Sequence, residues 1–387
     1  MNKTRTNGFS QKPIYNTKNN NTFYDKFRMN YEEKNKKVLF NFHNYQTNLP
    51  FIKTKDNSIS KFNNIHPFYR EIFSLNNAFL LRNNNKPILK KEERATSQNN
   101  RENSINLFLD SNDKLSKYII GKEIGKGAYA KVKLVTDKFT NIKYAMKIYD
   151  RSKLTDSAKK RCVFREIEIM KRSNHKNIVK LKEVIYTQKE ILIIMELING
   201  ISLRDYYNKN IRNQKNLSEE KEKIIKEFFK QIFSAMGYLH RNHMAHRDIK
   251  LENILLDNNK TIKIIDFGFG MYNPENRLQN FFCGTPNYMS PEIASKRYYK
   301  GQNSDLWSLG VLLYKMCCAD FPFKGANEKD LYKYIKKGTF TYPNYINEHI
   351  KKVINNLIVV DPDKRIGCEY ILNLTWFVSD NYKNQII

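Results

Sequence analysis

Hydrophobic and polar residues follow two different patterns along this chain. From Tyr118 to Val135 and from Tyr144 to Tyr149, β-branched and aromatic residues are bounded by turns containing Gly, Asn and Asp, which predicts strands. The apolar run from Glu190 to Leu197 predicts another strand. Between Glu219 and Asn242, apolar residues instead recur at helical spacing, which predicts a long amphipathic helix.

The predicted strands are concentrated in the first part of the patterned region and the helices in the second. One helix is predicted around 158–173, and the later part is mostly helical apart from short strands at 254–256 and 262–265. This segregation is typical of the α+β class. We therefore predict a small β-rich lobe and a larger helical lobe between residues 118 and 377, followed by a short tail at 378–387.

Residues 1–117 lack sustained periodicity and are rich in Asn and Lys, so we predict that this extension is largely disordered. Aromatic residues nevertheless recur within it, from Phe23 and Tyr24 to Phe79. They could dock on the patterned region or on a partner, or they could reflect drift of composition in a loose tail. Both interpretations remain open.

The net charge narrows the classes of partner. The chain has 387 residues, with 68 Lys and Arg against 39 Asp and Glu, and a formal net charge of +29. This charge would attract nucleic acid, anionic lipid or acidic protein segments. We favour the simpler explanation that Lys is frequent along the whole chain, because the charge is spread rather than clustered. No nucleic-acid-binding motif is found, so we expect no sequence-specific nucleic-acid partner.

Cysteine usage and the first residues indicate the compartment. The five cysteines include no CxxC pair, which argues against a zinc site or a disulfide framework. Met1 to Ser10 has no apolar signal core, and no run of about 18 apolar residues predicts a membrane span. We expect an intracellular protein, cytoplasmic or nuclear.

The first candidate for chemistry is a glycine-rich turn, Gly125-Lys126-Gly127-Ala128-Tyr129-Ala130. Glycines let backbone N–H groups approach phosphate oxygens, although an isolated match is typical of an ordinary hairpin, and Ala130 stands where a third glycine is common. Lys147 follows on a predicted strand and Glu166 on the predicted helix. An ion pair between them would hold the lysine beside the phosphates.

Three further motifs follow in order: His246-Arg247-Asp248-Ile249-Lys250-Leu251-Glu252-Asn253, then Asp266-Phe267-Gly268, then Ser290-Pro291-Glu292. Downstream of Lys147 and Glu166, they resemble the catalytic loop, the metal-binding motif and the activation-segment end of eukaryotic protein kinases. The resemblance covers residues 118–377. It implies the bilobal kinase fold and Mg²⁺-assisted transfer of the ATP γ-phosphoryl group to protein substrates.

The resemblance also implies a role for each catalytic residue. Asp248 would orient the acceptor hydroxyl and take its proton, Lys250 would neutralise γ-phosphoryl oxygens, and Thr285 would hydrogen-bond to both. Asn253 and Asp266 would ligate Mg²⁺. Lys250 and Thr285 together indicate serine/threonine specificity. The implied nucleotide-binding residues are Gly125, Lys126, Gly127, Ala128, Val132, Ala145, Lys147, Met195, Glu196, Ile198, Leu255 and Asp266.

Supporting contacts are implied in the same way. Asp305 would anchor the catalytic loop from a buried helix, Arg365 would pair with Glu292, and Phe267 would pack with Met170 and His246. Cys283 is interpreted as a packing thiol, with a redox switch as the alternative.

The segments 247–253, 282–288 and 308–314 are most similar to those of the calmodulin-dependent/AMP-activated kinase group, with polo-like kinases as the second choice. A non-catalytic kinase-like scaffold is the alternative function. Such a scaffold would be recognised by the loss of a catalytic residue, but Lys147, Glu166, Asp248, Asn253 and Asp266 are all present.

Two positions depart from the kinase pattern. Phe281 stands where relatives carry the phosphorylated residue that binds Arg247, and Tyr272 is the only hydroxyl side chain between Phe267 and Phe282. We predict that Phe281 packs to hold this segment without the usual phosphothreonine. Ser202 stands where relatives that choose basic peptides carry a glutamate, while Glu252 keeps one acidic contact that could meet a substrate arginine. Together these positions predict a weaker preference for basic peptides.

Overall fold

The computed structural model describes residues 113–127, 130–213 and 216–378. Predictions for residues 1–112, Ala128 and residues 379–387 lie outside this part. The first lobe has five strands: β1 (Tyr118–Lys126), β2 (Ala130–Asp137), β3 (Lys143–Asp150), β4 (Leu181–Tyr186) and β5 (Glu190–Glu196). They form one antiparallel sheet in the order β1-β2-β3-β5-β4.

One long helix, α1 (Ser157–Arg172), belongs to this lobe. It begins where the Asp156 carboxylate accepts a hydrogen bond from the Ala158 N–H at 2.6 Å, which satisfies one of the free donors of the first turn. Its buried face includes Ile167, Ile169 and Met170, and Glu166 is buried on the same helix. Because this face packs in the core, helix α1 holds the Glu166 carboxylate toward the sheet.

The second lobe consists mainly of helices. These are α2 (Leu203–Asn210), α3 (Glu219–Arg241), α4 (Pro291–Ala294), α5 (Gly301–Cys318), α6 (Glu328–Lys337), α7 (Glu348–Leu357) and α8 (Cys368–Leu372). Short strands lie between them: β6 (Gly200–Ser202), β7 (Met244–Ala245), β8 (Ile254–Asp257), β9 (Ile262–Ile264) and β10 (Met271–Tyr272). They form a three-stranded sheet, β6-β8-β9, and a two-stranded pair, β10-β7.

Helix α5 is the centre of the second lobe. It is buried on nearly all sides, and its Trp307 ring stacks on Phe323 with centroids 5.5 Å apart. Each such aromatic side chain contributes roughly 1.5–3 kcal/mol through burial. Because Asp305 lies on this helix and is fully buried, the helix gives the catalytic loop a rigid support.

The predicted α+β class and bilobal kinase fold are confirmed. At the majority of their ends, the long elements differ from the predicted bounds by only one or two residues. The sequence pattern did not indicate β4, whose apolar residues are interrupted by Lys182 and Glu183, or β6, β7 and β10, which are too short to show periodicity. No helix in the described ranges is long and apolar enough to cross a bilayer.

Candidate active site

A buried ion pair joins strand β3 to helix α1. Lys147 Nζ lies 2.6 Å from Glu166 Oε1 and 2.9 Å from Asp266 Oδ1. The Tyr149 hydroxyl also donates to Glu166. Burial alone would lower the pKa of Lys147, but Asp266 and Glu166 outweigh it and raise that pKa well above its ordinary value. Lys147 is therefore a fixed positive charge, as the sequence predicted.

Asp266 reaches this lysine from a strained backbone. Its φ is +64°, in the left-handed region that a non-glycine residue adopts at a cost of about 1–3 kcal/mol. Lys147 lowers the pKa of Asp266 to about 2, so the carboxylate is ionised. The neighbouring Phe267 ring is fully buried and lies 5.0 Å from the His246 ring. This packing holds Asp266 at the cleft.

The catalytic loop forms a compact hydrogen-bond network around Asp248. Lys250 Nζ donates to Asp248 Oδ2 at 2.6 Å and to Thr285 Oγ1 at 3.0 Å. The Thr285 hydroxyl in turn donates to Asp248 Oδ1 at 2.8 Å. Asn253 Nδ2 donates to the Asp248 carbonyl at 2.9 Å. The structure therefore brings together the three residues to which the sequence assigned the transfer step and one of the two predicted metal ligands.

The loop is anchored from below by Asp305. Its Oδ2 accepts the His246 N–H at 2.9 Å, and its Oδ1 accepts the Arg247 N–H at 2.7 Å. His240 Nε2 lies 3.1 Å from the same Oδ2. Burial pushes the pKa of His240 down, but hydrogen bonding to Asp305 raises it to about 10. A protonated His240 thus balances the buried carboxylate, and the predicted anchoring role of Asp305 is confirmed.

The glycine-rich turn joins β1 to β2. Gly125 pairs with Val132 across the strands, Lys126 pairs with Lys131, and the Gly127 N–H donates to the Ala130 carbonyl at 2.8 Å. The Ala130 side chain is buried in the core, so its methyl group is accommodated where the kinase pattern has a third glycine.

The apolar residues predicted to bind the nucleotide come from both lobes. Val132 and Ala145 lie on β2 and β3, while Leu255 lies on β8 of the second lobe. Ala145 pairs with Met195 of β5, next to the segment that connects the lobes. The apolar walls predicted for a nucleotide are therefore supplied by elements on either side of the connection.

Residues 197–199 connect β5 of the first lobe to β6 of the second, directly after Glu196. Glu196 accepts hydrogen bonds from Lys263 Nζ at 2.7 and 2.9 Å and from the Lys180 N–H at 2.8 Å. The Glu196 carboxylate is therefore engaged by the protein itself.

The activation segment ends at a buried bidentate ion pair. Arg365 Nη1 and Nη2 each lie 2.7 Å from an oxygen of Glu292, and both side chains are almost completely buried. The predicted pair is confirmed. It fixes α4 against the rest of the second lobe.

Arg247 faces the middle of the activation segment. Its φ is +64°, its Nε donates to the Phe269 carbonyl at 2.6 Å, and its Nη1 donates to the Tyr299 hydroxyl at 3.3 Å. Tyr299 donates to the Phe281 carbonyl at 2.7 Å, and the Arg247 guanidinium lies 5.7 Å from the Phe281 ring centroid. An aromatic ring and a carbonyl thus occupy this face of the arginine.

Cys283 is buried, and burial raises the pKa of its thiol. Arg247 lies close enough to oppose this effect in part, a basic neighbour that the sequence did not reveal. Burial nevertheless dominates, which favours a packing thiol over a reactive one.

The substrate side of the catalytic loop also differs from expectation. Ser202 caps α2, since its Oγ accepts the Asp205 N–H at 3.1 Å. Arg204 Nη1 donates to Glu252 Oε1 at 3.0 Å. Sequence reasoning had left Glu252 available to a substrate arginine, and it missed this pair because nothing in the local pattern connects two residues so far apart.

Tyr149 and His240 were missed for the same reason. Each completes a contact with a predicted residue, Glu166 or Asp305, from a distant part of the chain.

Comparison with known proteins agrees with this geometry. The protein kinase domain model matches residues 118–377. The chain therefore belongs to the protein kinase family, and the predicted family is confirmed.

Its relatives place it within that family. The chain is 36% identical over 263 residues to the mouse serine/threonine-protein kinase SIK1, covering 68% of this chain and 33% of that protein. It is 38% identical over 270 residues to the human NUAK family SNF1-like kinase 1, covering 70% and 40%. It is 39% identical over 267 residues to the probable serine/threonine-protein kinase MARK-A of Dictyostelium discoideum, covering 68% and 24%. These relatives are related to the AMP-activated kinases and belong to the calmodulin-dependent/AMP-activated kinase group, as predicted.

Proposed function

We propose that this chain is an active serine/threonine protein kinase. The observation that carries the proposal is the network in which Asp248 is held by Lys250 and Thr285 at 2.6 and 2.8 Å. In the reaction, the acceptor oxygen bonds to the γ-phosphorus of ATP while the bond to the ADP oxygen breaks. The hydroxyl proton passes to Asp248, and Lys250 offsets negative charge on the transferred group.

Asn253 and Asp266 fit the predicted Mg²⁺ site. The Asn253 amide nitrogen is committed to Asp248, which leaves its carbonyl oxygen as the free ligand atom, and Asp266 is ionised. In the described ranges, no cluster of three or more His, Cys, Asp or Glu residues could hold a metal. Two protein oxygens suit Mg²⁺, which usually binds one or two side chains together with phosphate oxygens. The ion would neutralise charge on the phosphates.

Lys147 is proposed to bind the α- and β-phosphates from the first lobe, and the turn at Gly125 to Gly127 to cover them. Support comes from the position of Lys147, which is fixed between Glu166 and Asp266. Since Asp266 touches both the lysine and the proposed metal, the two lobes would close on one nucleotide.

We also propose that the activation segment is ordered without a phosphothreonine. Support comes from the cation–π contact between Arg247 and the Phe281 ring and from the Tyr299 hydrogen bond to the Phe281 carbonyl. The remaining hydroxyl is that of Tyr272, whose ring centroid lies 3.8 Å from the guanidinium carbon of Arg172 rather than of Arg247. Peptide mapping of active enzyme should find no phosphate in 268–282, and phosphatase treatment should leave its rate unchanged. A phosphate required there would contradict the proposal.

A weak preference for basic peptides is proposed from Ser202 and Glu252. The serine is a helix cap rather than an acidic contact, and one oxygen of the glutamate already binds Arg204. Strong selection of arginine three residues before the acceptor would contradict this.

Protein substrates, a docking role for residues 1–117 and an intracellular location, cytoplasmic or nuclear, complete the proposal. The location is supported by the five cysteines, all of which are free thiols, as is usual in reducing compartments.

The experiment that tests the proposed function is phosphate transfer from ATP to a mixed peptide library with Mg²⁺. Wild type is compared with Asp266→Asn and with Asp363→Asn, a control at an exposed carboxylate remote from the nucleotide. Transfer by wild type and the control, but not by Asp266→Asn, is expected. If none transfers phosphate while ATP binding is intact, the non-catalytic scaffold is the better interpretation.

A further inference from the structure

A group of cationic side chains lies beside the catalytic loop, outside the residues assigned to phosphoryl transfer. Arg204 on α2 donates to Glu252 Oε1 at 3.0 Å. Glu252 lies in the loop itself, between Lys250 and Asn253, so this ion pair borders the place where the acceptor hydroxyl must lie. Any residue flanking the acceptor in a substrate passes close to this group.

The acidic member of the pair is not available to a substrate cation. One carboxylate oxygen of Glu252 is bound by Arg204. The other is closed to solvent and has no hydrogen-bond partner in the described part of the chain. A substrate arginine would therefore have to displace Arg204 before it could bind here.

Lys315 on α5 adds a second cation to the group. Its Nζ lies 3.6 Å from the Phe321 ring centroid and 4.7 Å from the Tyr207 ring centroid. Aromatic rings attract a cation but supply no full negative charge. Within the described ranges, Lys315 forms no ion pair at 4.0 Å or less.

The charged groups around Lys315 do not neutralise it. Burial lowers the pKa of Lys315 to about 8, and Arg212 and Arg204 act in the same direction, against Asp320 and Glu252. Asp320 is itself paired with Lys324. An additional negative charge would therefore stabilise the protonated lysine, whereas an additional positive charge would be repelled.

We propose that Arg204 and Lys315 form a subsite that selects substrates with an acidic side chain, a carboxylate or a phosphomonoester, flanking the acceptor serine or threonine. This inference rests on the proposed kinase activity and specifies its substrate class. Both anions offer oxygens to a guanidinium and an ammonium group. Arg204 would contact the anion with the N–H groups that it does not use for Glu252, and Lys315 would supply the second charge.

The test uses the full chain and a peptide library with one neutral parent sequence. Each flanking position in turn carries Asp, Glu, phosphoserine, Ala or Arg, and the rate of transfer to the fixed acceptor is measured. We expect acidic residues at one or more positions to raise the rate about fivefold over Ala, the scale of a partly exposed charge pair. The Asp, Glu and phosphoserine arms show whether a carboxylate suffices or a phosphate is preferred.

Two variants assign the selection to these residues. Arg204→Gln and Lys315→Met should each lower the ratio of acidic-peptide to neutral-peptide rates, and together should abolish it. Arg241→Gln is the matched control for the first, because Arg241 forms an exposed pair with Glu369. Lys351→Met is the control for the second, because Lys351 lies over the Tyr342 ring. Both controls should retain the wild-type ratio, and thermal unfolding of all variants checks folding.

A pH series gives an independent readout. Because the pKa of Lys315 is about 8, its share of the acidic preference should fall between pH 7 and pH 9 and should be absent in Lys315→Met. Selection of arginine, or an acidic preference that survives the double variant, would overturn the inference. Transfer to the neutral peptide without charge selection would overturn it while leaving the kinase activity standing, whereas no transfer to any peptide would remove the proposed function itself.

Discussion

The catalytic centre surrounds Asp248, and the adjacent Arg247 faces a second region, the activation-segment socket, formed by Arg247, Phe281 and Tyr299. The two regions are built from different kinds of contact. Around Asp248, every partner has the residue type that the kinase pattern predicts. Around Arg247, an aromatic ring and a carbonyl stand where the kinase pattern predicts a phosphorylated residue. Proton transfer and metal binding need particular functional groups, whereas holding a loop in place needs only sufficient contact energy from any source. The chemistry of the two regions explains why one follows the pattern and the other departs from it.

The largest effect is expected at the catalytic centre. Asp248→Asn should lower kcat by about a hundred- to ten-thousandfold, since the amide cannot take the acceptor proton. ATP affinity should change little because Lys147 and Asp266 are retained. Steady-state kinetics with a peptide substrate measures the change, with Asp363→Asn as the control. A loss below tenfold would remove Asp248 from the proposed role.

The next effect concerns the end of the activation segment. Arg365→Met leaves the Glu292 carboxylate buried without its partner, which should lower the free energy of unfolding by about 3–5 kcal/mol. Denaturant unfolding measures the loss. Arg241→Gln breaks an exposed Arg–Glu pair and should cost at most about 1 kcal/mol. If both variants lost the same free energy of unfolding, the buried Arg365–Glu292 pair would contribute no more to stability than an exposed pair.

Thr285 connects the two regions, because it belongs to the activation segment but binds Asp248 and Lys250. Thr285→Ala removes both hydrogen bonds and should lower kcat by about ten- to a hundredfold, or roughly 1.4–2.7 kcal/mol of barrier. Thr285→Ser keeps the hydroxyl and should recover most of the rate. If the serine variant were as slow as the alanine variant, the methyl group rather than the hydroxyl would be responsible.

These regions also differ in how far the sequence predicted them. The order and spacing of Lys147, Glu166, Asp248, Asn253 and Asp266 identified the catalytic centre, because that chemistry depends on residue types that appear as motifs. The long helices were predicted because their apolar faces repeat over several turns.

Contacts made by ordinary residues from distant parts of the chain were not predicted. Tyr149, His240 and Arg204 have no local signature, and only the fold brings them to Glu166, Asp305 and Glu252. The pairing of Glu252 with Arg204 is the clearest case. The sequence showed an acidic residue in the loop, but whether a substrate could use it depended on a partner in another element.

The smallest predicted effect tests the socket directly. Phe281→Ala removes the ring over Arg247, a cation–π contact worth about 0.5–1 kcal/mol at a partly exposed site, and should lower kcat/KM about two- to fivefold. Phe282→Ala is a comparison on the adjacent residue, whose ring centroid lies 6.2 Å from that of Tyr299. Hydrogen exchange across 268–282 should increase more in Phe281→Ala than in Phe282→Ala. If exchange and rate were unchanged, the hydrogen bond from Tyr299 to the Phe281 carbonyl would be sufficient to order the segment. The Phe281 ring would then occupy the position of the phosphate without contributing to the order of the segment.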